Sequence, residues 1–274
     1  MPAAFIDFEG IDGSGKTTLS NRVADRLRAS GIEVVHARAG GELPSGIARR
    51  IRALTRDGSG TALTPEAELL LNAAREAQIL AEAVRPALAR GAVVIGDRSL
   101  DAHLAMACAR GLPPECVRPV LDLAAGGTWA DLVVLDDVDP EIARLRKRAG
   151  KLDRQETEPP GRKSLAGPAL LHRMRAALRE LAAREPDRFL VFTNEGEDLA
   201  ALEDAIVAAI LARLRPRARR RSSRTRCCRP RRPTGGRSTM SSRWTTPCPC
   251  STCTWSRSVP RPCSPRPEAS RRPR

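Results

Sequence analysis

From Phe5 to about Leu214, short apolar runs with the period of a strand alternate with longer stretches patterned at the period of a helix. Phe5–Glu9 reads as a strand, and after a glycine-rich turn a helix runs from Lys16 to about Ser30. Ile32–Ala37 reads as a second strand, Pro65–Arg90 as one long Ala/Leu/Glu-rich helix, and Ala92–Asp97 (AVVIGD) as a strand buried on both sides. Leu132–Asp136 and Phe189–Thr193 supply two more strands, with helices around Pro140–Ala149, Ala169–Arg184 and Asp198–Leu214. Strands separated by helices pair in parallel through crossovers that cover both faces of the sheet. The expectation is an α/β fold: a five-stranded parallel sheet between two helical layers, in one core over residues 1–214.

Past Leu214 this pattern stops. Residues 215–274 are mostly Arg, Pro, Ser, Thr and Cys without apolar period, a composition that predicts disorder. Two functional rivals are an Arg-rich nucleic-acid arm and a metal knuckle at CPCSTC, but the cysteines lack two clean CxxC pairs and no His follows. The segment holds 18 Arg and no Lys, a bias that also suggests GC-rich DNA read out of frame, so a frameshift origin is the alternative to disorder.

Charge divides at the same boundary. The chain carries a formal +15, yet the segment from residue 215 has a single acid, Glu268, and a net +17, which leaves −2 for residues 1–214. The basic total therefore gives no reason to expect nucleic-acid binding by the folded domain. Cys108 and Cys116 fall in the main region and read as small buried apolar residues. No secretory signal precedes Phe5 and no run of ~20 apolar residues could span a bilayer, so the expectation is a cytoplasmic protein without membrane attachment.

Gly10–Thr17 (GIDGSGKT) satisfies GxxxxGK[ST] directly after a strand and directly before a helix, the context in which that motif cradles phosphate. Glycines at 10, 13 and 15 let backbone N–H groups turn inward, with Ile11, Asp12 and Ser14 between them and Thr18 following. The helix beginning near Lys16 aims the positive end of its dipole at the same anion. In this motif Lys16 bridges the β- and γ-phosphates of ATP and the Thr17 hydroxyl ligates Mg²⁺. Asp97 ends a strand whose C-terminal edge faces the loop, close to the metal and Lys16. Arg98 follows, a planar fork suited to gripping an acceptor phosphate.

The run FEGIDGSGKTT resembles the thymidylate kinase family, and the likeness continues in order through ARAGGELPSG, LLLNAAREAQ, RPALARGAVVIGDRS, VLDDVDPEIARLRKRAGKLDRQE and RAALRELAAREPDRF. The resemblance implies a P-loop NTPase fold, phosphorylation of dTMP to dTDP with ATP and Mg²⁺, and a homodimer. It implies a phosphate contact for Arg38, a base contact for Arg75, and a sugar contact for Asp12. It further implies that the basic stretch Arg144, Arg146, Lys147, Arg148, Lys151 and Arg154 begins a lid over about 144–165. Gly13 occupies a loop position that is basic in one branch of the family, so the charge on the transferring phosphoryl falls to the lid, with Arg148 and Arg154 the leading candidates.

The chain departs from the family on the acceptor side. It has no Tyr. The family's DRY is Asp97-Arg98-Ser99, an aromatic that stacks on the base is Leu71, a Tyr-Gln beside the sugar is Met106-Ala107, and a later Tyr is Leu178. A kinase for another or a modified nucleoside monophosphate is therefore the alternative activity. A nucleoside kinase would need a carboxylate base near the second strand, which ends His36-Ala37-Arg38. A P-loop ATPase or GTPase switch is the alternative from another class, although no NKxD or water-positioning residue supports it.

Overall fold

The computed structural model describes residues 3–38, 43–56, 63–153, 167–194, 196 and 198–214, without side chains at 151–153 and 167. Five parallel strands form one sheet: β1 (Ala4–Glu9), β2 (Val34–His36), β3 (Val93–Asp97), β4 (Leu132–Asp137) and β5 (Phe189–Thr193), in the order β2-β3-β1-β4-β5. The helices are α1 (Lys16–Ala29), α2 (Gly46–Arg56), α3 (Pro65–Ile79), α4 (Arg85–Ala89), α5 (Leu100–Ala109), α6 (Pro114–Ala125), α7 (Pro140–Asp153), α8 (Gly167–Arg184) and α9 (Leu199–Leu214).

Strand period two divides the core into the layers the sequence predicts. Ile6, Phe8, Val93, Ile95, Leu132 and Val134 face Leu19, Val23 and Leu27 of α1 and Ile206 and Ile210 of α9. Phe5, Val94, Val133 and Leu135 point to the other face, against residues of α3, α5, α6 and α8. At about 25 cal/mol per Å² of apolar surface, these two clusters are the main driving force for folding. Strand order reverses beside β1, so the loop after β1 opens onto the crevice at the C-terminal sheet edge where such folds bind ligands.

Several expectations need correction. The second strand is shorter than Ile32–Ala37: Val34, Val35 and His36 pair in register with β3, while Glu33 and Ala37 each add only a single hydrogen bond to it. Pro65–Arg90 is helical but not uniformly α: α3 passes through a π turn at Leu80–Val84 into α4. Pro86 lacks the N–H of an α-helical ladder, and just before it the Arg85 N–H donates five residues back to the Leu80 carbonyl. Helices α2, α5 and α6 were not expected at all. Nine of the ten α5 residues are buried, so that helix has no polar face to reveal its period. Cys116 is exposed and Cys108 only half-buried, contrary to the reading of both as buried. Residues 154–166, with Arg154 and most of the expected lid, lie outside the described residues, as does the segment 215–274.

Candidate active site

β1 ends at Glu9 and the chain turns over Gly10–Gly15 into α1, with the Ser14 N–H closing the turn on the Ile11 carbonyl at 3.2 Å. Gly15 caps α1 at φ 112°, a left-handed conformation unfavourable to residues with a Cβ, and the first turn of α1 carries no acid. The unpaired N–H groups at this helix start are thus left to an anion. Gly13 (φ 95°) is glycine for a second reason. A Cβ there would lie 2.1 Å from the Ala143 carbonyl oxygen, so α7 packs directly on the loop. A basic side chain could not branch from position 13 through that contact.

Lys16 is buried and donates to the Ile11 carbonyl at 3.3 Å. Burial, reinforced by the Arg98 guanidinium, lowers its pKa to about 8, with Asp12 and Asp97 opposing. The Thr17 hydroxyl donates to Asp97 Oδ2 at 2.7 Å, which sets two side-chain oxygen groups together at the C-terminal edge of β3. Arg38 donates to the Asp97 carbonyl at 2.6 Å, while its Nε is buried without a partner. An orphaned cationic donor is costly unless an anion arrives to use it.

Arg98 is the single non-glycine residue at positive φ (68°) among the described residues. Its N–H continues the β1 ladder to the Phe8 carbonyl at 3.1 Å, and its guanidinium pairs with Asp12 rather than with neighbouring Asp97. Backbone strain of this kind costs of order 1–3 kcal/mol and persists where the surroundings hold it. Here Glu9 holds the next turn: its Oε1 accepts the N–H groups of Ser99 (3.1 Å) and Ala102 (2.9 Å) and so caps α5 from outside the helix. Burial raises the Glu9 pKa to about 7, while Arg98 pulls it down. Asp7, two residues earlier, accepts the Ser99 hydroxyl at 2.6 Å.

On the acceptor side, Arg75 is buried on α3 and its Nε and Nη2 both donate to Glu76 Oε1, at 3.2 and 2.9 Å. His103 Nε2 lies 3.0 Å from the same oxygen and 2.8 Å from Arg75 Nη2. Despite burial, which acts in the opposite sense, Arg75 and His103 bring the Glu76 pKa down to about 2. Leu71 is half-buried on the same helix, whereas Met106, one turn after His103, packs into the core. His103 carries no signal in the sequence as a site residue. Only the packing of α5 against α3 brings it to Arg75, and no spacing in the chain signals that.

Helix α7 brings further cations. Arg146 donates to the Ser14 carbonyl at 3.1 Å, and Lys147 lies 3.9 Å from Asp12. Arg148 is exposed. The base of α7 is clamped by Arg175 of α8, which reaches Asp137 at 2.6 Å and Asp139 at 3.2 Å. The arrangement gathers Lys16, Arg38, Arg98 and Arg146 about a glycine cradle, with Thr17 and Asp97 able to hold a divalent cation. It suits transfer of a phosphoryl group between two phosphates.

Residues 8–206 match the family model described as thymidylate kinase. A thymidylate kinase of Pseudomonas fluorescens is 39% identical over 221 residues, covering 80% of this chain and all of that protein. One from Trichlorobacter lovleyi is 39% identical over 213 residues, or 77% of this chain and 98% of that one. A crystal structure of thymidylate kinase from Ehrlichia chaffeensis matches with a TM-score of 0.57 at 22% identity, covering 77% of this chain and 100% of that one, and shares the fold.

Proposed function

The chain belongs to the thymidylate kinase family, and from that premise we propose that it transfers the γ-phosphate of ATP to dTMP, giving dTDP and ADP, with Mg²⁺ as the metal and residues 1–214 as the catalytic unit. The observation that carries this reading is the meeting of Lys16, Arg38 and Arg98 around the Thr17–Asp97 pair. The acceptor is itself an anion, so a site for it must hold cations on both sides of the transferred group.

In this reading the N–H groups of Gly13 to Thr18 and the Lys16 ammonium hold the β- and γ-phosphates of ATP. Thr17 and Asp97 would hold Mg²⁺, which when bound supplies charge neutralisation between those phosphates. Arg38 and Arg98 hold the dTMP phosphate, whose oxygen is already ionised and needs no general base. That oxygen bonds to the γ-phosphorus as the bridging P–O bond breaks and its electron pair leaves with ADP. Asp12 orients Arg98 and lies within reach of the sugar hydroxyl. Arg75 meets the base, with Leu71 one turn before it on α3. Arg146, Arg148 and Arg154 serve the charge on the transferring group from the lid. Catalysis is then positioning and electrostatics.

A second acceptor is favoured by one feature: α3 offers the half-buried Leu71 where the resemblance expects a stacking aromatic, and Arg75 on the same helix is already engaged by Glu76. Base–aromatic stacking is worth about 1–3 kcal/mol per base, so a different or modified monophosphate could match this pocket better than dTMP. A coupled ADP-release assay over a panel of nucleoside monophosphates decides. Release with dTMP well above the acceptor-free rate, and near-total loss in Lys16→Ala with the fold retained, is the expected result. Equal release without any acceptor would show an ATPase instead.

Family membership also supports a homodimer, for which the exposed Ile47 and Leu54 of α2 and Leu70 of α3 offer apolar surface. Among the described residues no helix is long and apolar enough to cross a membrane.

A further inference from the structure

Asp136 is the last residue but one of β4, beside the phosphate loop, and has no task in the reaction above. Its side chain is buried, and neither carboxyl oxygen meets a partner at full hydrogen-bond geometry, although Ser14 and Asn194 lie close enough to pull on its pKa. The buried Ser14 hydroxyl of the loop is equally without a partner at that geometry. The carboxyl lies against the loop itself: Oδ2 is 3.5 Å from where a Cβ on Gly15 would sit, and the Asn194 amide nitrogen is 3.1 Å from the same point. The charged and polar groups facing it are Lys16 from α1, Arg146 from α7, Asn194 beyond β5 and Ser14 from the loop. The next acid, Asp137, is engaged by Arg175 instead.

A loop built to hold the phosphates of a nucleotide gains nothing from a second buried anion at its back. Lys16 and Arg146 offset a carboxylate there only until they are turned to phosphate. A neutral acid has no such conflict, and its O–H can donate to the Ser14 oxygen, which satisfies both orphaned groups at once. We propose that nucleotide binding at this loop takes up one proton from solvent and that Asp136 holds it, so that Asp136 is a proton-carrying member of the nucleotide site. Burial already raises the pKa of this carboxyl to about 6, against the pull of Ser14, Lys16, Arg146 and Asn194, so the proton is available near neutrality. Added phosphate charge raises it further. The proposal rests on the reading of Gly10–Thr18 as the nucleotide site.

Titration calorimetry of ADP into the full chain tests it, in two buffers of different ionisation enthalpy at pH 5.5 and 7.0. Proton uptake by the wild type at pH 7.0 is expected to exceed that of Asp136→Asn by close to one per ADP. Between these pH values the wild-type Kd weakens about tenfold more than that of the variant, because a raised pKa in the complex makes affinity fall as pH rises. Asp136→Leu has no titrating group either and follows Asp136→Asn, which guards against a fault particular to one variant. Equal proton uptake and equal pH slopes in wild type and both variants overturn the proposal. Failure of the wild type to bind ADP at either pH overturns the nucleotide-site reading itself, a distinct result.

Discussion

Replacing Gly13 by Ala adds one methyl group where the structure has no room for it. Its Cβ would sit 2.1 Å from the Ala143 carbonyl oxygen and 2.8 Å from the carbonyl carbon, both backbone atoms of α7 that cannot rotate away. The φ of 95° adds backbone strain of about 1–3 kcal/mol. Overpacking adds a further ~1–3 kcal/mol. The total, about 2–6 kcal/mol, is either lost from stability or relieved by retreat of α7 from the loop. At roughly 2–4 °C per kcal/mol for a domain of this size, full loss would lower Tm by about 4–24 °C. Retreat would preserve more of Tm but pull Arg146 from the Ser14 carbonyl and Lys147 from Asp12, raising KM for ATP and lowering kcat. Thermal melting followed by circular dichroism, paired with steady-state kinetics at varied ATP, separates the two routes. A variant with unchanged Tm and unchanged kcat/KM would refute the claim that α7 closes directly on the phosphate loop.

Two further outcomes follow from the electrostatics of the site. In the proposed reaction Lys16 grips phosphate only while protonated, and burial has lowered its pKa to about 8, so kcat/KM for ATP is expected to fall as pH rises through about 8. A pH–rate profile flat to well beyond that point would contradict the burial assigned to Lys16. Glu9 has a folded pKa raised to about 7, so the folded state holds more protons than the unfolded one between the two values and loses stability as pH rises through that window. Glu9→Gln keeps an oxygen for the Ser99 and Ala102 N–H groups without the charge, and is expected to match or exceed the wild-type Tm at pH 8. Glu9→Ala orphans both donors, at about 1–3 kcal/mol each, and melts several degrees lower. Equal melting of the two variants would show that the cap on α5 contributes nothing.

The amino-acid sequence by itself determined the layered fold and the phosphate cradle, because both are local patterns. Period two in FIDFE and AVVIGD fixes which residues face each helical layer, and GxxxxGK[ST] places its glycines and Lys16 within a single turn. The resemblance carried by the ordered stretches from FEGIDGSGKTT to RAALRELAAREPDRF pointed to the right family, since such agreement runs along the chain. What lies across the chain required the tertiary structure. His103 meets Arg75 and Glu76 only because α5 packs on α3, and Arg146 rather than Arg148 touches the loop because of the rotation at which α7 docks on Gly13. The isolation of Asp136 is likewise invisible in VLDDVD, where it reads as one acid among three. Burial and the absence of a partner at full hydrogen-bond geometry decide its protonation, and those are set by strands and loops far apart in sequence. Local pattern selects the elements, while the charge state of the site depends on long-range packing that excludes water.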